Sequence, residues 1–196
     1  KGKIAWIGHP MEMSDVLDRV VAGTFDPAKA AAEKAAKENL QKELTAKLRA
    51  NDIDGAIKVL DQAAASDPEI ARRVPVIKFQ LLMRAKRYDE AYAGGDALVE
   101  AIKDEPQALN QLAWTIATAP GLEKRDLKLA RKLAEKAVEA TGGKDAAILD
   151  TLARVLFDAG EIDMAIKVQT DAVAKAPDAE QAEMQQSLEK YKAAGK

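Results

Sequence analysis

Four alanines recur along this chain at nearly constant spacing, and their period limits the fold more than any other feature. Ala56, Ala91, Ala130 and Ala165 are separated by 35, 39 and 35 residues. A similar arrangement of apolar, small and turn-forming residues surrounds each of them. Internal periods of this length indicate stacked supersecondary units rather than one closed globular core.

The composition indicates that these units are helical. Hydrophobic residues make up 47% of the 196 residues but aromatic residues only 4%, so alanine and leucine, both strong helix formers, dominate the apolar set. Charged residues reach 32% with a formal net charge of -2, which provides no bulk attraction to nucleic acid or anionic membranes. We therefore expect an all-α fold that does not bind nucleic acid.

The sequence contains little that could support catalysis. It has no cysteine and a single histidine, His9, which excludes thiol chemistry and cysteine-bound metals. We expect His9 to be a loop residue beside Pro10, because no carboxylates are spaced to complete a metal site with it. No glycine-rich phosphate loop or nucleophile motif is present, and no apolar run approaches the ~18 residues that span a bilayer. We predict no catalytic residue, cofactor, metal site or membrane insertion.

Four segments can be distinguished along the chain. Residues 1–25 combine an alternating strand pattern at 3–8 with a helix from about 13 to 22, which ends near Gly23. Residues 26–50 form a long linker or first helix, with Asp26 as N-cap and Pro27 at the first helical position. In the second half of this helix, Leu40, Leu44 and Leu48 form a predicted packing stripe.

The remaining two segments are a repeat array and a cap. Residues 51–177 alternate helix, short turn and helix, and an insertion of about five residues after Pro120 accounts for the longer interval. Residues 178–196 predict a polar capping helix, which helical arrays need at their ends.

The repeated positions resemble those of the tetratricopeptide repeat, over roughly residues 37 to 177. The fourth unit matches throughout, at Leu149, Leu152, Ala153, Leu156, Gly160, Ala165, Ala172 and Pro177. The third unit matches at Leu109, Leu112, Ala113, Ile116, Ala130 and Ala137. The second departs at Phe79 and at a Gly94-Gly95 pair inside its second helix, and the first matches only in its second half. The resemblance implies a right-handed helical-repeat solenoid with a concave groove.

In that family the first helix of each unit lines the groove, and a protein or peptide client binds there. The matching positions in this chain are Gln80, Arg84, Asn110, Trp114, Asp150, Arg154 and Phe157. Trp114 is the strongest single candidate, because tryptophan and arginine anchor interfaces more often than other residues. The alternative is that Trp114 packs against the insertion after Pro120. The lysine and asparagine clamp that some members use to bind a C-terminal carboxylate is not reproduced.

The first residues carry a second resemblance. Residues 2–10, followed by a helix that ends at Val20, Val21, Ala22 and Gly23, resemble the last strand and helix of a thioredoxin-like (redoxin) domain. This resemblance implies that the redox-active cysteine pair lies upstream of Lys1. It also implies that the chain is the C-terminal part of a bacterial thiol-disulfide oxidoreductase with an extracytoplasmic location. Trp6 is then expected to be a buried strand aromatic.

These observations favour a non-catalytic protein-interaction module that brings a client to an upstream redox site. Two alternatives remain open on the sequence. The array could mediate self-association into a homo-oligomer, or it could only stabilise a redoxin whose enzymatic site lies outside this chain.

Overall fold

A computed structural model describes residues 13–195, with side chains from Val16 onward. Within this range the fold is all-α, as predicted. The predicted strand at 3–8, Trp6 and His9 lie outside the described residues. The helices are α1 (Met13–Val21), α2 (Pro27–Arg49), α3 (Ile53–Ser66), α4 (Pro68–Arg84), α5 (Tyr88–Ala93), α6 (Gly95–Ala101), α7 (Pro106–Thr118), α8 (Leu127–Ala140), α9 (Ala146–Asp158), α10 (Ile162–Lys175) and α11 (Asp178–Ala194).

Several helices begin or end at signals that the sequence carries. The Asp26 carboxylate accepts hydrogen bonds from the amides of Ala28 and Lys29, at 2.8 and 3.2 Å, and so caps α2 as predicted. Gly160 adopts a φ of +82° after α9, a left-handed conformation that glycine accepts without strain. The Glu161 amide then donates to the Leu156 carbonyl at 2.9 Å, and the chain turns into α10.

The chain divides into two compact units, of which the first ends at Asp67. In this unit α2 packs on α3, and Lys47 pairs with Asp52 at 2.9 Å where the two helices join. Helix α2 buries none of its residues. The predicted stripe is weaker than expected, since Leu40 and Leu44 are half-buried but Leu48 is 39% exposed.

The second unit begins at Pro68 and contains α4 to α11. Helix α4 packs on α5 and α6, while α7 packs on α8 and α9, α9 on α10, and α10 on α11. The predicted small residues lie at these crossings: Ala113, Ala130, Ala153, Ala165 and Ala172 are all 0% exposed. Alanine at a crossing allows the axes of two helices to approach to the ~8–10 Å of close packing.

The second helix of the second repeat is not continuous, contrary to the sequence prediction. It is divided at Gly94 into α5 and α6. Gly95 is buried at the start of α6, and a Cβ atom there would lie 2.7 Å from Cδ1 of Leu129 on α8. The glycine therefore permits the close approach of α6 to α8, which a longer side chain would block.

We expect Gly95→Ala to destabilise the fold, because the new methyl group overpacks against the buried Leu129 side chain. Overpacking costs about 1–3 kcal/mol, which exceeds the gain of about 0.5–1 kcal/mol for glycine to alanine in a helix. Gly94→Ala is the matched control, since its nearest neighbour is the Ala91 carbonyl oxygen at 3.6 Å. Urea unfolding should show a lower free energy of unfolding for the first variant alone. Equal values for both would contradict the role assigned to Gly95.

Candidate functional site

An open cleft of about 600 Å³ lies between α4 and α7. Most of its lining comes from the two helices, and the end of α6 contributes the rest. The side chains that line it include Glu69, Arg72, Arg73, Val76, Ile77, Gln80, Ile102, Glu105, Ala108, Gln111 and Leu112. Both α4 and α7 are the first helices of their pairs, which the tetratricopeptide resemblance places along a groove.

The cleft combines an apolar middle with polar groups that can bind a ligand. Val76, Ile77 and Leu112 supply apolar surface, and Gln80 and Gln111 add amide groups. Two adjacent exposed arginines, Arg72 and Arg73, also line it.

Among the described residues, no ion pair neutralises the positive charge of these arginines. No ion pair joins Arg72 or Arg73 to any other residue between 13 and 195. Glu105 is the N-cap of α7 but makes no side-chain capping bond, so its carboxylate does not satisfy the amides of Gln107 and Ala108, which follow Pro106. Guanidinium groups and uncapped helix amides both favour a carboxylate ligand.

Two of the groove residues predicted from sequence lie at this cleft or beside it. Gln80 lines it directly, and Trp114 is 39% exposed on α7, three residues from Gln111 and therefore on the same helix face. Arg84 is exposed at the end of α4. Asn110 is half-buried, and its Oδ1 atom is buried without a hydrogen-bond partner among the described residues.

The insertion after Pro120 contacts α5, the residue Lys86 before it and the end of α7. The Arg125 guanidinium donates to the carbonyls of Ala117 and Ala119 at the end of α7. The Tyr92 hydroxyl of α5 donates to the Lys124 carbonyl at 2.7 Å. Further ion pairs join Lys124 to Asp89 at 2.5 Å and Lys86 to Glu123 at 2.6 Å. None of these contacts involves the Trp114 side chain.

The three predicted groove residues on α9 have a different environment. The Gln169 amide of α10 donates to Asp150 at 2.6 Å, and Arg154 pairs with Asp158 at 2.9 Å. The Phe157 ring stacks on Tyr191 of α11, with centroids 4.4 Å apart. The structure therefore places Asp150 and Phe157 at the contacts with α10 and α11, apart from the cleft.

Helix α11 caps the array and also adds to its core. Its buried side chains are Met184, Leu188 and Tyr191. Met184 belongs to a cluster with Ala146, Leu149 and Ala172 of α9 and α10. The sequence indicated a polar cap, but the spacing of these three residues by four and three positions marks the apolar stripe that was missed.

Comparisons with known proteins do not place the chain in a family. No protein-family model matches the sequence, and no curated protein is significantly similar to it. Between residues 13 and 195, no three or more His, Asp or Glu side chains come together as metal ligands. No helix in that range has the length and apolar character needed to cross a bilayer.

The contact of α11 with α9, in which Tyr191 stacks on Phe157, should lose stability at alkaline pH. Burial, followed by the nearby Asp150 charge, raises the pKa of Tyr191 to about 12 from 10.0. Because the unfolded phenol loses its proton first, the contribution of Tyr191 to folding should fall as pH rises from about 10 to about 12. We expect Tyr191→Phe to remove this component of the pH dependence in urea unfolding. Tyr88→Phe controls for the loss of a buried phenol, and parallel curves for wild type and Tyr191→Phe would contradict the prediction.

Proposed function

We propose that this chain is a non-catalytic protein-interaction module whose cleft between α4 and α7 binds an extended peptide of a partner protein. The observation that carries this proposal is the cleft itself, in which Val76, Ile77 and Leu112 adjoin Arg72 and Arg73. A peptide with an aliphatic side chain next to an aspartate or glutamate fits this chemistry. The aliphatic group would bury on the apolar surface, and the carboxylate would bind a guanidinium.

The ligand would extend from the cleft towards Trp114. The exposed face of α7 continues from Gln111 to Trp114 over less than one helical turn. A half-exposed indole provides a large, rigid contact area at low entropic cost. Gln80 and Gln111 could then bond to the peptide backbone, since each side-chain amide both donates and accepts.

Two features support a tetratricopeptide-like array as the scaffold for this site. The alanines at the family's small positions are fully buried at helix crossings, and the first helices α7 and α9 pack on each other. Of the residues that carry the redoxin resemblance, the structure describes only the helix α1 (Met13–Val21), and the predicted strand before it lies outside the described residues. A link between client binding and an upstream thiol-disulfide oxidoreductase is therefore proposed on the sequence alone.

A displayed library of random peptides selected on the wild-type chain tests the proposal. We expect enriched peptides to place aspartate or glutamate beside leucine, isoleucine or valine. A synthetic peptide of the enriched sequence should bind the double variant Arg72→Ala, Arg73→Ala at least about tenfold more weakly, since a charge-assisted hydrogen bond contributes about 1.5–3 kcal/mol. Trp114→Ala should also weaken binding. Fluorescence anisotropy with a labelled peptide measures both effects.

The matched control is the double variant Lys144→Ala, Lys167→Ala, which removes the same charge from exposed positions outside the cleft. It should bind the peptide as the wild type does. Equal weakening in both double variants would reduce the effect to bulk charge and contradict the site. Absence of any enriched peptide, together with a molar mass that rises with concentration in light scattering, would favour self-association instead.

A further inference from the structure

A fully buried glutamine with one unsatisfied oxygen lies where α9, α10 and α11 meet. Gln169 on α10 is 0% exposed. Its Nε2 atom donates to Asp150 Oδ1 of α9 at 2.6 Å and to the Met184 carbonyl of α11 at 3.0 Å. Both amide hydrogens are therefore used. The Oε1 atom is buried and accepts no hydrogen bond from the described residues.

The orientation of this amide is determined by its neighbours. The Met184 carbonyl can only accept a hydrogen bond, so rotating the Gln169 amide by 180° would place two oxygens against each other. Oε1 must therefore remain the acceptor that lacks a donor. A buried acceptor without a donor costs about 1–3 kcal/mol, which indicates that a hydrogen belongs at this position.

We infer that, in acidic solution, Asp150 is protonated in the folded chain and that its O–H group donates to Gln169 Oε1. A carboxylic acid and a primary amide have complementary edges, each with one donor and one acceptor. The bond from Nε2 to Oδ1 is already one half of such a pair. The proton on the second carboxyl oxygen completes it, and the acid–amide pair holds α9, α10 and α11 together through Gln169 and the Met184 carbonyl.

The charged groups around Asp150 are compatible with a neutral acid. Burial is the largest cause that raises the pKa of the Asp150 carboxyl, and Glu183 of α11 raises it further. The Gln169 hydrogen bond and the Arg154 charge lower it, but Arg154 on α9 is paired with Asp158. The net effect is a pKa above the ordinary value.

The other packed elements supply no compensating cation to this carboxyl. Helix α7 contains no titratable side chain. On α8, Arg131 pairs with Glu135 and with Glu161 at the start of α10, and Lys136 pairs with Glu139. On α10, Lys175 pairs with Asp171. On α11, Lys190 lies over the Phe157 ring, and Tyr191 is neutral below its pKa of about 12.

The pair of Asp150 and Gln169 makes the contact of α11 with α9 and α10 sensitive to pH. A carboxyl whose folded pKa is raised contributes most to stability below its ordinary pKa, and this contribution is lost as pH rises through the folded value. Deprotonation leaves Gln169 Oε1 without a donor and places a charge in the contact with α11. Deprotonation of Asp150 would therefore weaken the attachment of α11, the helix that covers Phe157. This inference does not depend on the proposed peptide site.

Carbon-13 NMR of the wild-type carboxyl groups tests the inference without a variant. We expect the Asp150 carboxyl to titrate at a clearly higher pH in the folded chain than in the chain unfolded in urea. A titration midpoint of Asp150 in the folded chain that equals or lies below the midpoint in the unfolded chain would overturn the inference.

A second measurement uses Asp150→Asn, whose amide can donate to Gln169 Oε1 at every pH. The urea midpoint of the wild type should fall relative to this variant as pH rises through the Asp150 titration. Asp163→Asn, which changes an exposed aspartate on α10, is the matched control. Its urea midpoint should depend on pH as that of the wild type does. Parallel pH profiles for the wild type and Asp150→Asn would show that the Asp150 proton does not support the fold, and the inference would fail.

Discussion

The structure depends on the close approach of helices at crossings occupied by small side chains. Fully buried alanines, among them Ala130, Ala153 and Ala165, stand where larger residues would separate the axes. Gly95 has the same role where α6 meets α8. In the second unit, each helix packs mainly on helices close to it in sequence. Much helix surface stays available, including the walls of the cleft between α4 and α7.

The first helices of the repeats have different surroundings at the two ends of the second unit. Between α4 and α7 the packing leaves an open cleft whose arginines lack ion-pair partners among the described residues. Around α9 the corresponding surface is closed, because Tyr191 stacks on Phe157 and Gln169 binds both Asp150 and the Met184 carbonyl. An aromatic stack and a buried amide hold α11 in place. The open cleft therefore lies where no capping helix covers the first helices.

Local signals in the sequence predicted the helices well and their continuity less well. Asp26 and Gly160 mark helix boundaries through hydrogen bonding and backbone conformation that involve only nearby residues. The break at Gly94 was not predicted, since glycine is also tolerated inside a helix when a close neighbour requires it. Pro75 is a helix-breaking residue that lies inside a continuous helix. It removes one helical hydrogen bond, yet α4 continues from Pro68 to Arg84, because packing can offset a single lost bond.

The sequence by itself determined the all-α class of the described residues, several helix boundaries such as those at Asp26 and Gly160, and the small residues that are buried at crossings, since these follow from periodicity and from bonds within a few residues. It also indicated Gln80 and Trp114 as surface residues of first helices. Only the tertiary structure decided that Arg72 and Arg73 line a cleft with α7, and that Asp150 and Phe157 lie at contacts with α10 and α11. These placements depend on contacts between helices of different repeats. Local sequence patterns describe only neighbouring residues and therefore do not specify such contacts.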